Sequence, residues 1–160
     1  MVILNSPIGT IEIIGNETGL RSVSFSDAVP IHEGVVYPVE IECKQQLEEY
    51  FNGKRKTFSL PLDFEGTAFQ EKIWNELLKI PFGKTISYLE LAMQHGDVKA
   101  IRAVGAANGK NPIAVIVPCH RVIGAGGELV GYAGGLHRKK WLLELEGSLH
   151  PDLFSATKAL

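Results

Sequence analysis

Between Thr67 and Gly109 the chain alternates helix starts and helix stops too closely for anything but a cluster of short helices. Thr67-Ala68-Phe69-Gln70 has the form of a capping box, and Ser87-Tyr88-Leu89-Glu90 is a second. Behind the first box Phe69, Ile73, Trp74 and Leu77 recur at helical spacing, and Pro81-Phe82-Gly83 ends that helix. Gly96 breaks the second helix after about two turns. Asp97 is placed to cap a third helix running to about Asn108, with Gly109 as its stop. Two short helices joined by a tight glycine-containing turn read as a helix-turn-helix. The later helix has almost no bulk on Ala100, Ala103, Gly105, Ala106 and Ala107, and Arg102 projects among them. Two readings stand side by side: close helix–helix packing, or a thin helix able to approach a groove about 6 Å wide, such as the minor groove of DNA.

The first sixty residues have a different rhythm. Val2-Ile3-Leu4, Thr10 to Ile14 and Leu20 to Phe25 are β-rich runs separated by Ser6-Pro7-Ile8-Gly9 and Asn16-Glu17-Thr18-Gly19. Connections that short imply an antiparallel sheet. Residues 26–38 read as loop. From Val39 to Asn52, Val39, Cys43, Leu47, Tyr50 and Phe51 fall on one helical face, and Gly53 is a natural stop. Cys43 on that stripe reads as a small buried hydrophobe. Lys54 to Gly66 is polar and reads as a linker. At the other end, Leu136 to Glu146 reads as a helix stopped by Gly147, with Trp141, Leu142 and Leu145 apolar, and residues 148–160 as a surface tail. The expected fold class is therefore α+β. A small N-terminal antiparallel sheet domain with a helix and linker occupies residues 1–60, and a mainly helical C-terminal domain containing the helix-turn-helix occupies 61–160.

Charge is divided along the same line. Residues 1–65 carry five Lys/Arg against ten Asp/Glu, whereas residues 66–147 carry ten against seven, although the whole chain is at −2. A modestly basic half can attract phosphates within a slightly acidic protein, and ordinary charge scatter gives the same numbers. No apolar run approaches the roughly 18 residues that span a membrane, and the N-terminus lacks the pattern of a signal peptide. Two cysteines make no disulfide framework, so the expected setting is reduced and cytoplasmic.

The chemistry concentrates in Val117-Pro118-Cys119-His120-Arg121-Val122-Ile123-Gly124. An apolar run, Ile113 to Val117, leads in and a glycine-rich stretch follows. A thiol becomes a nucleophile near neutral pH when a base or positive group favours its thiolate. His120 is the adjacent base, and Glu144 and Glu146 are the downstream acids able to fix its tautomer. On bare chemistry Cys119 is either that nucleophile or a buried structural thiol. Cys43, Cys119 and five scattered histidines show no recognisable metal spacing, so no metal is expected. Gly124-Ala125-Gly126-Gly127 lacks the Gly-Lys-Ser/Thr ending of a phosphate loop.

At the level of motifs the chain resembles the O6-alkylguanine-DNA alkyltransferases. Pro118-Cys119-His120-Arg121-Val122 resembles that family's active-site signature. Phe82 to Tyr88, Arg102-Ala103-Val104-Gly105, Asn111-Pro112, Tyr132 to Leu136 and Trp141 to Gly147 resemble its other motifs in the same order. The resemblance covers about residues 60–147 strongly. It implies that the C-terminal domain binds DNA and accepts the alkyl group, that O6-alkylguanine (with O4-alkylthymine as a further substrate) flips out of double-stranded DNA, and that Cys119 takes the alkyl group irreversibly. By the same resemblance His120 is the general base acting through a water, Glu146 orients it, and Asn111 braces the active-site turn. Tyr88 crowds the 3′ phosphate and donates a proton to guanine. Arg102 holds the gap in the stack, with Ala100, Ala103 and Ala106 forming the helix face in the minor groove. Val122 and the loop of Tyr132, Ala133 and Gly134 read the base. No cofactor is implied, and the expected state is a monomer away from membranes.

Two departures from relatives are visible. Ala133 stands where some carry a serine, so a hydroxyl contact to the base is lost. The zinc site of some N-terminal domains would have only Cys43 and His32 to draw on. Two other functions compete: a lesion-binding relative without chemistry, which Cys119 opposes, and a cysteine hydrolase, which would leave the helix-turn-helix unexplained.

Overall fold

The computed structural model describes residues 1–27 and 34–149 and divides into two compact units. One unit comprises Met1–Glu65 and Pro112–Ile116; the other comprises Gly66–Asn111 and the chain from Val117 on. In the first, β1 (Val2–Ser6), β2 (Gly9–Gly15) and β3 (Leu20–Ser26) form an antiparallel sheet in that order. Leu4 pairs with Ile11 and Ile13 with Val23, so one face of the sheet is continuously apolar. Ile11, Ile13, Leu20 and Val23 are buried with Cys43, Leu47 and Tyr50 of α1 (Pro38–Phe51). Each such side chain contributes roughly 1.5–3 kcal/mol on leaving water.

The start of α1 is fixed by a buried acid. Glu40 accepts from Gly15 N at 2.9 Å and from Tyr37 N at 3.3 Å, and pairs with the N-terminal amine at 3.2 Å. The stretch expected as a linker is not free. Leu20 N donates to Pro61 O and Asp63 N to Leu20 O, so Pro61–Asp63 run along the sheet edge beside Leu20. The apolar lead-in also contributes there: Val23 N donates to Pro112 O and Ala114 N to Val23 O.

In the second unit α2 (Ala68–Leu77), α3 (Tyr88–His95), α4 (Ile101–Gly109) and α5 (Leu136–Leu145) accompany a two-stranded parallel ladder, β4 (Ile86–Ser87) with β5 (Val122–Ile123). Both capping boxes form: Thr67 Oγ1 accepts from Gln70 N at 3.1 Å and Ser87 Oγ from Glu90 N at 3.0 Å. Gly96 ends α3 at φ 101°, a conformation suited to glycine. The third helix differs from its expected form. Asp97 caps a single 3₁₀ turn over Val98–Ala100, accepting from Lys99 N at 2.9 Å, and α-helix begins only at Ile101. Gly109 lies within α4, and Lys110 caps it. Trp74 Nε1 donates to the Ala107 carbonyl at 2.8 Å, locking α2 to α4 in the core. In α5 the buried residues include Leu142 and Leu143, while Trp141 and Leu145 are half-buried. Leu149, expected in a surface tail, instead packs with Leu129 and Leu143; residues 150–160 lie outside the described residues.

Candidate active site

Cys119 is delivered by two consecutive three-residue turns. Ile116 N donates to Ala114 O at 2.8 Å around Val115, whose φ is 71°. A β-branched residue there is strained, on the order of 1–3 kcal/mol. Then Cys119 N donates to Val117 O at 2.8 Å around Pro118, whose ring already favours the observed φ of −83°. Asn111 Nδ2 donates to that same Val117 carbonyl at 2.7 Å and braces the second turn. Cys119–Arg121 form a 3₁₀ turn leading directly into β5, where Val122 is buried.

Adjacent residues of a 3₁₀ turn point apart, and here the next two side chains enter the core. His120 Nε2 lies 2.8 Å from Glu146 Oε2, both fully buried as side chains. Arg121 clasps the same carboxylate with Nε to Oε1 at 2.8 Å and Nη2 to Oε2 at 2.9 Å. Its remaining Nη1 donates to Ile80 O at 2.7 Å, and its guanidinium lies 5.9 Å from the Phe82 ring centre. Burial works to raise the Glu146 carboxyl, but the hydrogen bonds and charges of His120 and Arg121 hold it at about 2. Burial pushes the His120 imidazole down, opposed by Glu146. A neutral imidazole beside an ionised carboxylate carries its proton on Nε2. Nδ1 then presents a lone pair, and that atom is buried with no hydrogen-bond partner in the protein.

Around the thiol, burial pushes Cys119 up, whereas a hydrogen bond with Asn111 and the charge of Lys139 pull it back. Lys139 is itself fully buried, and burial lowers it to about 8. Its Nζ donates to Val130 O and Gly131 O, each at 3.1 Å, and lies 5.8 Å from the Tyr88 ring centre. Tyr88 donates to the same Val130 carbonyl at 2.9 Å. Burial and Cys119 both raise the Tyr88 phenol, and a hydrogen bond with Asn108 lowers it. Tyr132 is also near the thiol. Burial drives its hydroxyl well above the usual range, and that hydroxyl has no partner in the protein.

The small residues of α4 divide between the two roles left open by the sequence. Ala107 is buried and Gly105 faces the Tyr88 ring, where an added Cβ would lie 3.8 Å away. Arg102, Ala103 and Ala106 are exposed, and Ala100 is half-buried in the preceding turn. Ala133 is exposed and Gly134 half-buried, in the loop before α5. Among the described residues no group of three or more His, Cys, Asp or Glu could hold a metal, and no helix is long and apolar enough to cross a membrane. His32 lies outside the described residues.

Three contributors escape a reading of the sequence. Arg121 is visible there only as a neighbour of His120. Lys139 carries a fainter signal, a charge three and four residues before Leu142 and Leu143 on the apolar stripe of α5. Asn108 looks like the last residue of a helix, yet it is buried and its Nδ2 donates to Cys119 O at 3.4 Å.

Residues 68–148 match the 6-O-methylguanine DNA methyltransferase DNA-binding domain, and residues 2–64 match the ribonuclease-like domain of the same family. The chain is 50% identical to the methylated-DNA–protein-cysteine methyltransferase of Methanosarcina acetivorans over 151 residues, covering 91% of this chain and 97% of that protein. Its fold matches the crystal structure of Mycobacterium tuberculosis O6-methylguanine methyltransferase with a TM-score of 0.82 and 44% identity, over 96% of both chains. It matches the M. tuberculosis OGT in complex with DNA with a TM-score of 0.83 and 45% identity, again over 96% of both.

Proposed function

The chain belongs to the 6-O-methylguanine DNA methyltransferase family, and from that premise we propose how its own residues carry out alkyl transfer. The protein repairs DNA by moving the alkyl group of O6-alkylguanine to its own Cys119. The observation that carries the assignment is the buried chain Arg121–Glu146–His120, which fixes the imidazole so that its free Nδ1 serves the neighbouring thiol.

The lesion binds on the exposed face of α4, with Arg102 entering the base stack and Ala103 and Ala106 allowing close approach in the minor groove. Ala100, in the turn before, is small enough not to obstruct it. The target base flips toward Cys119, because a thiolate cannot reach the alkyl carbon of a stacked base. Tyr88, at the start of α3, crowds the 3′ phosphate. Backbone groups of Val122 and the loop of Tyr132, Ala133 and Gly134 read the guanine edge.

Cys119 then forms a carbon–sulfur bond as the bond from carbon to O6 breaks. The thiol proton passes through a water to His120 Nδ1, and Tyr88 supplies a proton to the departing guanine. Asn111 and Lys139 offset the burial that disfavours the thiolate. The product is guanine in DNA and a thioether on Cys119. No group near it is suited to cleave a thioether, so each molecule acts once, as a cytoplasmic monomer.

Titration of the protein with duplex carrying labelled O6-methylguanine tests this. Label should enter protein until one methyl per molecule is reached, and guanine should reappear in the DNA. Continued release of methanol beyond that point would identify a hydrolase instead. Arg102→Ala should slow transfer from duplex; a wild-type rate would remove Arg102 from the flipping step.

A further inference from the structure

Asn108 occupies the seam between the helix proposed to carry DNA and the residue proposed to do the chemistry. It lies on the inner side of α4, 4% exposed, while Arg102, Ala103 and Ala106 of the same helix face solvent. Its Nδ2 donates to the carbonyl oxygen of Cys119 at 3.4 Å, a carbonyl that also accepts from the backbone N–H of Val122. Its Oδ1 is buried with no partner in the protein. A buried amide left half-satisfied costs stability, on the order of 1–3 kcal/mol, where a leucine of similar size would cost none of that.

We infer that Asn108 is a positioning residue for alkyl transfer, tying α4 to the Cys119 backbone so that DNA seated on α4 meets the thiol in register. This rests on the proposed function above. The Cys119 carbonyl has two lone pairs, and Val122 N and Asn108 Nδ2 take one each, so the backbone that carries the thiol is held from α4 as well as from the start of β5.

The test compares Asn108→Leu, Asn108→Asp and Asn108→Ser with wild type in single-turnover transfer from duplex O6-methylguanine. Melting curves and affinity for undamaged duplex are followed alongside. Asn108→Leu removes the donated bond and should lower the rate at saturating DNA about tenfold, the scale of one positioned hydrogen bond. Affinity for undamaged duplex and the pH profile of Cys119 modification by iodoacetamide should not change. Asn108→Asp sets an acceptor against the Cys119 carbonyl oxygen and should be slower still near neutral pH. Its rate relative to wild type should recover as pH falls and the carboxyl regains a proton to donate. Asn108→Ser, a smaller donor, should fall between wild type and leucine, and carries the comparison if leucine does not fold. Wild-type rates in the folded variants, or an Asp-to-wild-type ratio flat with pH, would overturn the assignment. Failure of the wild-type protein to transfer methyl at all would instead overturn the function on which it rests.

Discussion

The two cysteines share the property most often used to call a thiol inert, since both are buried: Cys43 is fully enclosed and Cys119 is 7% exposed. Cys43 sits on α1 among apolar side chains, where burial alone pushes its thiol up to about 12. Burial acts in the same direction on Cys119, but there the Asn111 hydrogen bond and the Lys139 charge act against it. An imidazole with a free nitrogen follows immediately in the chain. The difference teaches that depth does not separate a structural thiol from a nucleophilic one. What separates them is whether polar groups were buried together with the sulfur. Retaining Lys139, His120, Arg121 and Glu146 in a small core is costly; the pairing of Glu146 with His120 and Arg121, and the two carbonyls that accept from Lys139, limit that cost.

The largest test of this contrast is removal of each sulfur. Cys119→Ala should abolish methyl transfer while leaving binding to duplex intact, because Arg102 and the α4 face remain. Glu146→Gln comes next. It leaves Arg121 without its carboxylate and releases the His120 tautomer, so the transfer rate should fall about 100-fold and stability by about 3 kcal/mol. The same variant should alter the acid limb of a melting profile. Glu146 is depressed to about 2 when folded, so its stabilisation is present above the ordinary carboxylate range and is lost as pH falls toward 2. His120 is also depressed, so the unfolded chain takes up its proton first as pH drops below about 6.5. Wild type should therefore lose melting temperature progressively below pH about 6.5, and Glu146→Gln should lack the lower part of that loss.

Lys139→Met should have a smaller effect. Without the ammonium the Cys119 thiol rises, so transfer near neutral pH should slow about tenfold and thiol modification should require higher pH. The smallest effect is expected at Cys43. Cys43→Ala removes a packed sulfur from an apolar core and should cost about 1 kcal/mol of stability, read by denaturant melts, with the transfer rate unchanged. A measurable loss of rate in Cys43→Ala would break the contrast.

Much of the fold was legible because it rests on local chemistry. Capping boxes at Thr67 and Ser87, the glycine stop at Gly96 and the apolar alternation of Ile11 and Ile13 each act within a few residues. The ends were less legible where tertiary contacts decide them. Val98–Ala100 tighten into a 3₁₀ turn under the Asp97 cap, and Pro61–Asp63 are drawn onto the sheet edge by Leu20. At the site, Cys119 and His120 announce themselves as neighbours. The service of Arg121 to Glu146 and the reach of Asn108 to the Cys119 carbonyl span 25 and 11 positions, and the buried Lys139 is held by carbonyls 9 and 8 positions before it. No local pattern encodes them. The strain at Val115 was equally hidden, since a valine in an apolar run gives no hint of a positive φ.

The central claim is that one buried thiol accepts the alkyl group and the other does not. Intact-mass measurement and peptide mapping after exposure to excess duplex containing O6-methylguanine test it most directly. A single methyl group should be gained, located on Cys119, with Cys43 unmodified and no further gain on longer incubation. A methyl group on Cys43, no gain in mass, or lesion consumed in excess of protein would contradict it.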